Sequence, residues 1–379
     1  MAQGHFSRSA SLALLTIGVI GGIMPSLQAT LLPRLVEEGS VSLAGLGQVA
    51  MAEAIGTLLA VSFASAMLKP RHLKLYVLVS AMIGVALDLA TARLTGHAIL
   101  AARFGHGVCA GTLLWVWVAF LTRCDNPGRW VAIYVLTQAA TLLVLSFWLS
   151  SSLLPQGGAF AGFAVVASLY GLIALLTMFT PAHFESIARG STSMRPSRIG
   201  WVGLFAIFTL MAAIPATWVY LKPYGKQIGL DETITGMAVS AAMGAQIASG
   251  LIGTVLAGRV SNAAMVLFVI AGSIASLAFI LTAYSAATFV IGTAGFAFFW
   301  MLGSPFYMPY LIDIDPSRRS ALHMTTSQLL GVAAGPAIGS MAVGGETVTG
   351  ALVVAAALYV AGALIVALTI LNAKKSGRA

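Results

Sequence analysis

Long apolar runs, one after another, limit this chain more than any other feature. About twelve of them have membrane-spanning length. They lie near 10–33, 43–67, 75–93, 97–121, 130–150, 158–180, 200–221, 234–257, 262–283, 286–311, 320–342 and 348–371. Inside a bilayer each backbone amide must bond within its own segment, so such runs are expected to be helices. Only 8% of the residues are charged, against about 25% in a soluble domain. A soluble monomer is therefore excluded. The first run begins near Ser11 and is too long for the apolar core of a cleaved leader, so it reads as the first span.

Lysine and arginine set the orientation. Fifteen of the twenty lie in loops on the side of the termini. Four lie opposite, namely Arg34, Arg93, Lys222 and Lys226, and Arg103 falls inside a span. The positive-inside rule then places both termini in the cytoplasm, and a cytoplasmic (inner) membrane is the expected location. The net charge of +9 follows from these loops and is no sign of nucleic-acid binding. Cys109 and Cys124 lie fifteen residues apart along one expected helix. At about 1.5 Å per residue this is beyond disulfide reach, so both should be free thiols.

The longest polar stretch, 181–199, is rich in Ser, Arg and Pro and reads as a cytoplasmic linker. It divides the chain into 1–180 and 200–379, each with six spans. The halves repeat at an offset of about 190 residues: Pro25 with Pro215, Gly105 with Gly295, Arg129 with Arg319, and Gln138 with Gln328. A parallel repeat of six spans is a known transporter plan.

Several motifs carry a more specific likeness. Ile99-x-x-x-Arg103-x-x-His106-Gly107 is similar to the span-4 motif of the major facilitator superfamily, where an apolar residue, Arg, Gln and Gly hold these places. Here His106 stands for Gln, and Cys109 for a second Gly. The loop Lys69–Lys74 keeps the family's positive charge between spans 2 and 3 without its Asp and Gly. Gly331-Val-Ala-Ala-Gly335-Pro336-Ala-Ile-Gly339 is similar to the family's antiporter motif, in span 11 instead of span 5. The chain thus resembles that superfamily. The resemblance implies an all-α membrane protein with twelve transmembrane helices in two six-helix, pseudo-symmetric halves. It also implies a secondary transporter working by alternating access, with spans 1, 4, 7 and 10 around the solute.

Polar residues inside apolar spans are the candidate site, because lipid makes them costly. Arg103 offers a fork of donors for a substrate carboxylate or phosphate. It can equally form a structural ion pair with Asp88, at similar depth on the neighbouring span. Glu53 lies roughly 15 Å down span 2 at about 1.5 Å per residue. A carboxyl there can couple transport to protons, or simply bond between helices or to Arg103. His106, one turn from Arg103, is a proton relay or a packed histidine.

Gln28, Gln138, Gln328, Tyr134, Trp115 and Tyr307 are candidate solute contacts, with interhelical bonding or core packing as the alternative. Asp88, Arg71, Asp313 and Arg319 are candidate gating residues. Trp218, Tyr220, Lys222 and Tyr224 read as anchors at the membrane interface. No phosphate-binding loop, metal-ligand spacing or nucleophile motif is present, so no enzyme activity, cofactor or metal is expected. The expected partners are a small polar or anionic solute, protons and the lipid bilayer. Drug or metabolite efflux by the same fold, and a receptor or scaffold without transport, are the alternatives.

Overall fold

The computed structural model describes residues 6–68, 70–121, 123, 127–184, 196–315, 319–344 and 347–375. Cys124, Lys69, Arg318 and most of the expected linker lie outside these residues, as does the side chain of Arg129. The described helices are α1 (Arg8–Gly21), α2 (Met24–Glu37), α3 (Gly45–Met67), α4 (Leu73–Thr91), α5 (His97–Leu121), α6 (Pro127–Trp148) and α7 (Leu154–Leu176). They continue with α8 (Arg198–Trp218), α9 (Leu221–Gln227), α10 (Glu232–Leu256), α11 (Asn262–Leu281), α12 (Ala286–Ile314), α13 (Arg319–Ser340) and α14 (Thr349–Lys375). The chain divides into two compact units. The first is 1–42 with 48–190, and the second is 43–47 with 191–379.

Ten stretches of the described residues are long and apolar enough to cross a membrane. One of them, Ile133–Phe179, runs 47 residues and takes in most of α6 and all of α7. They are joined by a π-turn over Leu149–Leu153, where the sequence suggests two separate spans. Helix α13 is not among the ten. Its Thr325, Thr326, Ser327 and Gln328 dilute its apolar character.

One expected span is broken within its length and another is cut short at its end, and proline explains both. A proline ring collides with the carbonyl four residues earlier and offers no N–H. Pro25 sets that limit at Gly21, where α1 ends. Pro223 sets it at Val219, just past the end of α8. Pro215, the repeat partner of Pro25, sits inside α8 without ending it. The repeat therefore keeps its prolines in register while different prolines make the breaks.

The glycine match goes further. A Cβ on Gly105 would lie 3.0 Å from Leu87 of α4, and one on Gly295 would lie 2.9 Å from Ser276 of α11. Each glycine lies against a side chain of the helix before its own, within its own unit.

In the second unit, Gly331, Gly335 and Gly339 face Phe208, Ala212 and Ala216 of α8. A Cβ on Gly331 would be 2.5 Å from the Phe208 carbonyl oxygen, and one on Gly335 would run into that of Ala212. The antiporter-like motif thus gives α13 a bare stripe on which α8 packs. Gly335→Leu should destabilise the purified protein by roughly 1–3 kcal/mol, the range for overpacking, read as a lower melting temperature in detergent.

Trp218, Tyr220, Lys222 and Tyr224 are not interfacial anchors. None is more than 3% exposed. Trp218 packs edge-on against Trp300 at 5.9 Å, and the Tyr224 hydroxyl donates to the Leu281 carbonyl at 3.0 Å. Anchors need a wet tip, and these tips are inside the protein.

A ring cluster closes one end of the first unit. Phe6 meets Phe120 at 5.1 Å and Phe184 at 5.9 Å. Phe120 also meets Trp117 and Trp130, each at 5.5 Å. The Arg123 guanidinium lies 5.0 Å over Phe184.

Candidate functional site

Helix α5 can approach α3 closely because its facing side is bare. A Cβ on Gly107 would run into the Glu53 carbonyl oxygen, and one on Gly111 would lie 2.5 Å from that of Thr57. From α3, Gly56 meets the Phe104 carbonyl in the same way. This contact carries Glu53 towards Arg103 and His106, which share one face of α5. Helix α4 adds Asp88, and α2 adds Gln28.

The result is a buried tetrad inside the first unit. Arg103, His106 and Asp88 are fully buried, and Glu53 is 1% exposed. Arg103 Nη1 donates to Asp88 Oδ1 at 2.8 Å, and Nη2 donates to Glu53 Oε1 at 2.7 Å. His106 Nδ1 lies 2.9 Å from Glu53 Oε1 and 3.0 Å from Arg103 Nη2. Its Nε2 lies 3.4 Å from Asp88 Oδ2, in ion-pair range but outside hydrogen-bond geometry. Gln28 Nε2 donates to Glu53 Oε2 at 3.2 Å. Helix α7 covers the group. Phe163 stacks on the Arg103 guanidinium at 5.4 Å. The Tyr170 ring lies 4.8 Å from the His106 ring and needs a glycine at 84, where a Cβ would strike it.

Charge decides what this group can do. Two carboxylates face one guanidinium, so the tetrad carries −1 when His106 is neutral and 0 when it is protonated. Charge without a partner is costly at such depth. A protonated imidazole donates from both nitrogens, one towards Glu53 and one towards Asp88. A neutral imidazole has one N–H and releases one of them. A single proton therefore balances the tetrad, while Arg103 bonds both carboxylates and so ties α3 to α4.

The expected site residues fall in several places. Arg103, Glu53, His106, Asp88 and Gln28 come together, and both terminal nitrogens of Arg103 bond the chain's own carboxylates. Gln138 and Tyr134 lie at the break between α1 and α2, where Gln138 Nε2 donates to the Gly22 carbonyl at 3.0 Å. Trp115 is buried on α5, away from these bonds. In the second unit, Tyr307 is 2% exposed beside Gly303, and Gln328 is half-buried on α13. Arg71 is exposed and donates to His72 at 3.0 Å. Asp313 accepts from Asn262 Nδ2 at 2.8 Å, and Arg319 opens α13. Cys109 is a buried free thiol, as expected. Sequence reasoning missed Phe163, an apolar residue among apolar neighbours with no pattern to mark it.

No family model and no curated protein matches the sequence. Solved structures do match it. A point mutant of the nucleoside transporter NupG matches with TM-score 0.74 at 13% identity, over 95% of this chain and 99% of its own. FucP, a major facilitator superfamily transporter in the outward conformation, gives 0.61 at 14% identity, over 96% and 99%. The chain has the major facilitator superfamily fold. At these identities the likeness is one of fold. Within the superfamily fold, the tetrad belongs to the first unit alone.

Proposed function

We propose that the protein is a proton-coupled secondary transporter of a small polar solute, working by alternating access in the cytoplasmic membrane with both termini inside. One observation carries this reading: a buried tetrad that needs one extra proton to be neutral, inside a fold shared with transporters. Glu53 and His106 hold that proton. Asp88 and Arg103 set the charge against which it is held. When the proton leaves, the attraction between His106 Nε2 and Asp88, 3.4 Å apart, is lost and the site is left with one uncompensated negative charge. This links proton occupancy to the charge of the site.

Both terminal nitrogens of Arg103 already hold carboxylates, which favours a neutral polar solute over an anion. The similar transporter NupG is a nucleoside transporter, which makes a nucleoside the first solute to test. No enzymatic role is supported by any feature of the site. Efflux loses weight because the antiporter-like glycines serve the packing of α13 on α8.

The test uses proteoliposomes with an imposed pH gradient and labelled nucleoside, with a small carboxylate as anionic comparator. Glu53→Gln should lower gradient-driven accumulation at least about tenfold and leave solute counterflow working, since exchange needs no net proton movement. Accumulation equal to wild type would remove Glu53 from coupling.

A further inference from the structure

The break between α1 and α2 is lined by polar groups that the tetrad does not use. Gly22 ends α1, with its N–H bonded to the Gly18 and Val19 carbonyls. A Cβ there would lie 2.6 Å from Tyr134 Oη and 2.7 Å from Gln138 Nε2. Tyr134 and Gln138 stand one turn apart on α6, so one helix aims two polar tips at one bare carbon. The Tyr134 ring stacks on Trp117 at 5.1 Å and 20°. Trp117 is itself fixed against Gly18, where a Cβ would lie 2.7 Å from its ring.

The exposure pattern selects this spot. Trp117 is buried, while Gly22, Tyr134 and Gln138 are each half-buried. Thr141 continues their stripe along α6. The opposite face of α6 carries Leu136 and Phe147, 60% and 55% exposed. Lipid takes the apolar face, so the polar stripe belongs to a wet side. Interrupted spans are where transporters of this kind expose groups to a solute.

We propose that this cradle selects the solute by its ring. Tyr134, backed by Trp117, stacks on a flat heteroaromatic ring, and the Gln138 amide reads the ring's edge. With its Nε2 engaged by the Gly22 carbonyl and by Tyr134, the Gln138 amide keeps Oε1 as an acceptor, which suits the exocyclic amine or imide N–H at a nucleobase edge. Aromatic stacking holds any base by its π-face. A saturated sugar has no such face. The ligand class is therefore a nucleobase-bearing solute. This rests on the transport reading above and adds the recognition element.

The full chain, purified in detergent, is titrated with adenosine, uridine, adenine and glucose, and thermal stabilisation is recorded. Wild type should be stabilised by the three base-bearing compounds and not by glucose. Tyr134→Leu and Gln138→Leu should each weaken base binding at least about fivefold, the lower end for one stacked base. Tyr134→Phe, which keeps the stack, should retain most of the affinity. Melting temperatures without ligand report whether each variant is folded. Equal stabilisation by glucose and adenosine, no stabilisation by any base, or folded Leu variants that bind like wild type would overturn the proposal. Binding without flux in vesicles would remove the transport reading and leave the cradle standing. Flux of another solute without base binding would do the reverse.

Discussion

Arg103→Met should be among the most damaging single changes in this chain, lowering stability by about 3–5 kcal/mol, the usual effect of removing one partner from a buried ion pair. Methionine is similar in length, so the loss is one of charge more than volume. Two carboxylates, Glu53 and Asp88, would then share a dry site with only His106 and Gln28 to satisfy them. The measurement is the melting temperature of purified protein, with expression level as a cruder guide. Neutralising the carboxylates as well, in an Arg103→Met, Glu53→Gln, Asp88→Asn variant, should recover a large part of the loss. A single variant that melts with wild type would mean that the tetrad contributes no net electrostatic order.

Gly107→Val should come next. Even one added carbon at this position runs into the Glu53 carbonyl oxygen. Valine forces α3 and α5 apart, and overpacking of this kind costs about 1–3 kcal/mol. Separating the helices also stretches the 2.7 Å bond from Arg103 to Glu53, so transport should fail more than folding does. The control is Gly171→Ala on α7, where no atom lies within 4 Å of the added carbon. That variant should melt within about 0.5 kcal/mol of wild type. The comparison is made on melting temperature and on gradient-driven uptake together. Equal behaviour of the two variants would mean that the close crossing has no role.

Much of this was legible in the sequence. Hydropathy places the helices within a few residues, because the bilayer demands one length and one composition. Gly105 and Gly295, one repeat offset apart, each lie against the helix before their own, α4 and α11. Depth alone suggested that Arg103 and Asp88 could pair. What the sequence could not supply was the third dimension. Glu53 and His106 are 53 residues apart, and only the bare faces of Gly56, Gly107 and Gly111 explain why they touch. Proline was ambiguous for a similar reason. Pro25 and Pro223 end helices while Pro215 does not, and the letters alone do not distinguish them. Tyr220 and Lys222 misled because an aromatic beside a lysine after an apolar run looks like an anchor whether or not lipid is near.

The ring cluster of Phe6, Phe120 and Phe184 has a bearing on biosynthesis. All of its members are translated before residue 190, ahead of any residue of α8. The amino-terminal half can seal that end of itself while the ribosome is still making the rest, as domains commonly fold in order of synthesis. A nascent chain stalled just past Phe184 has every ring it needs to finish that closure.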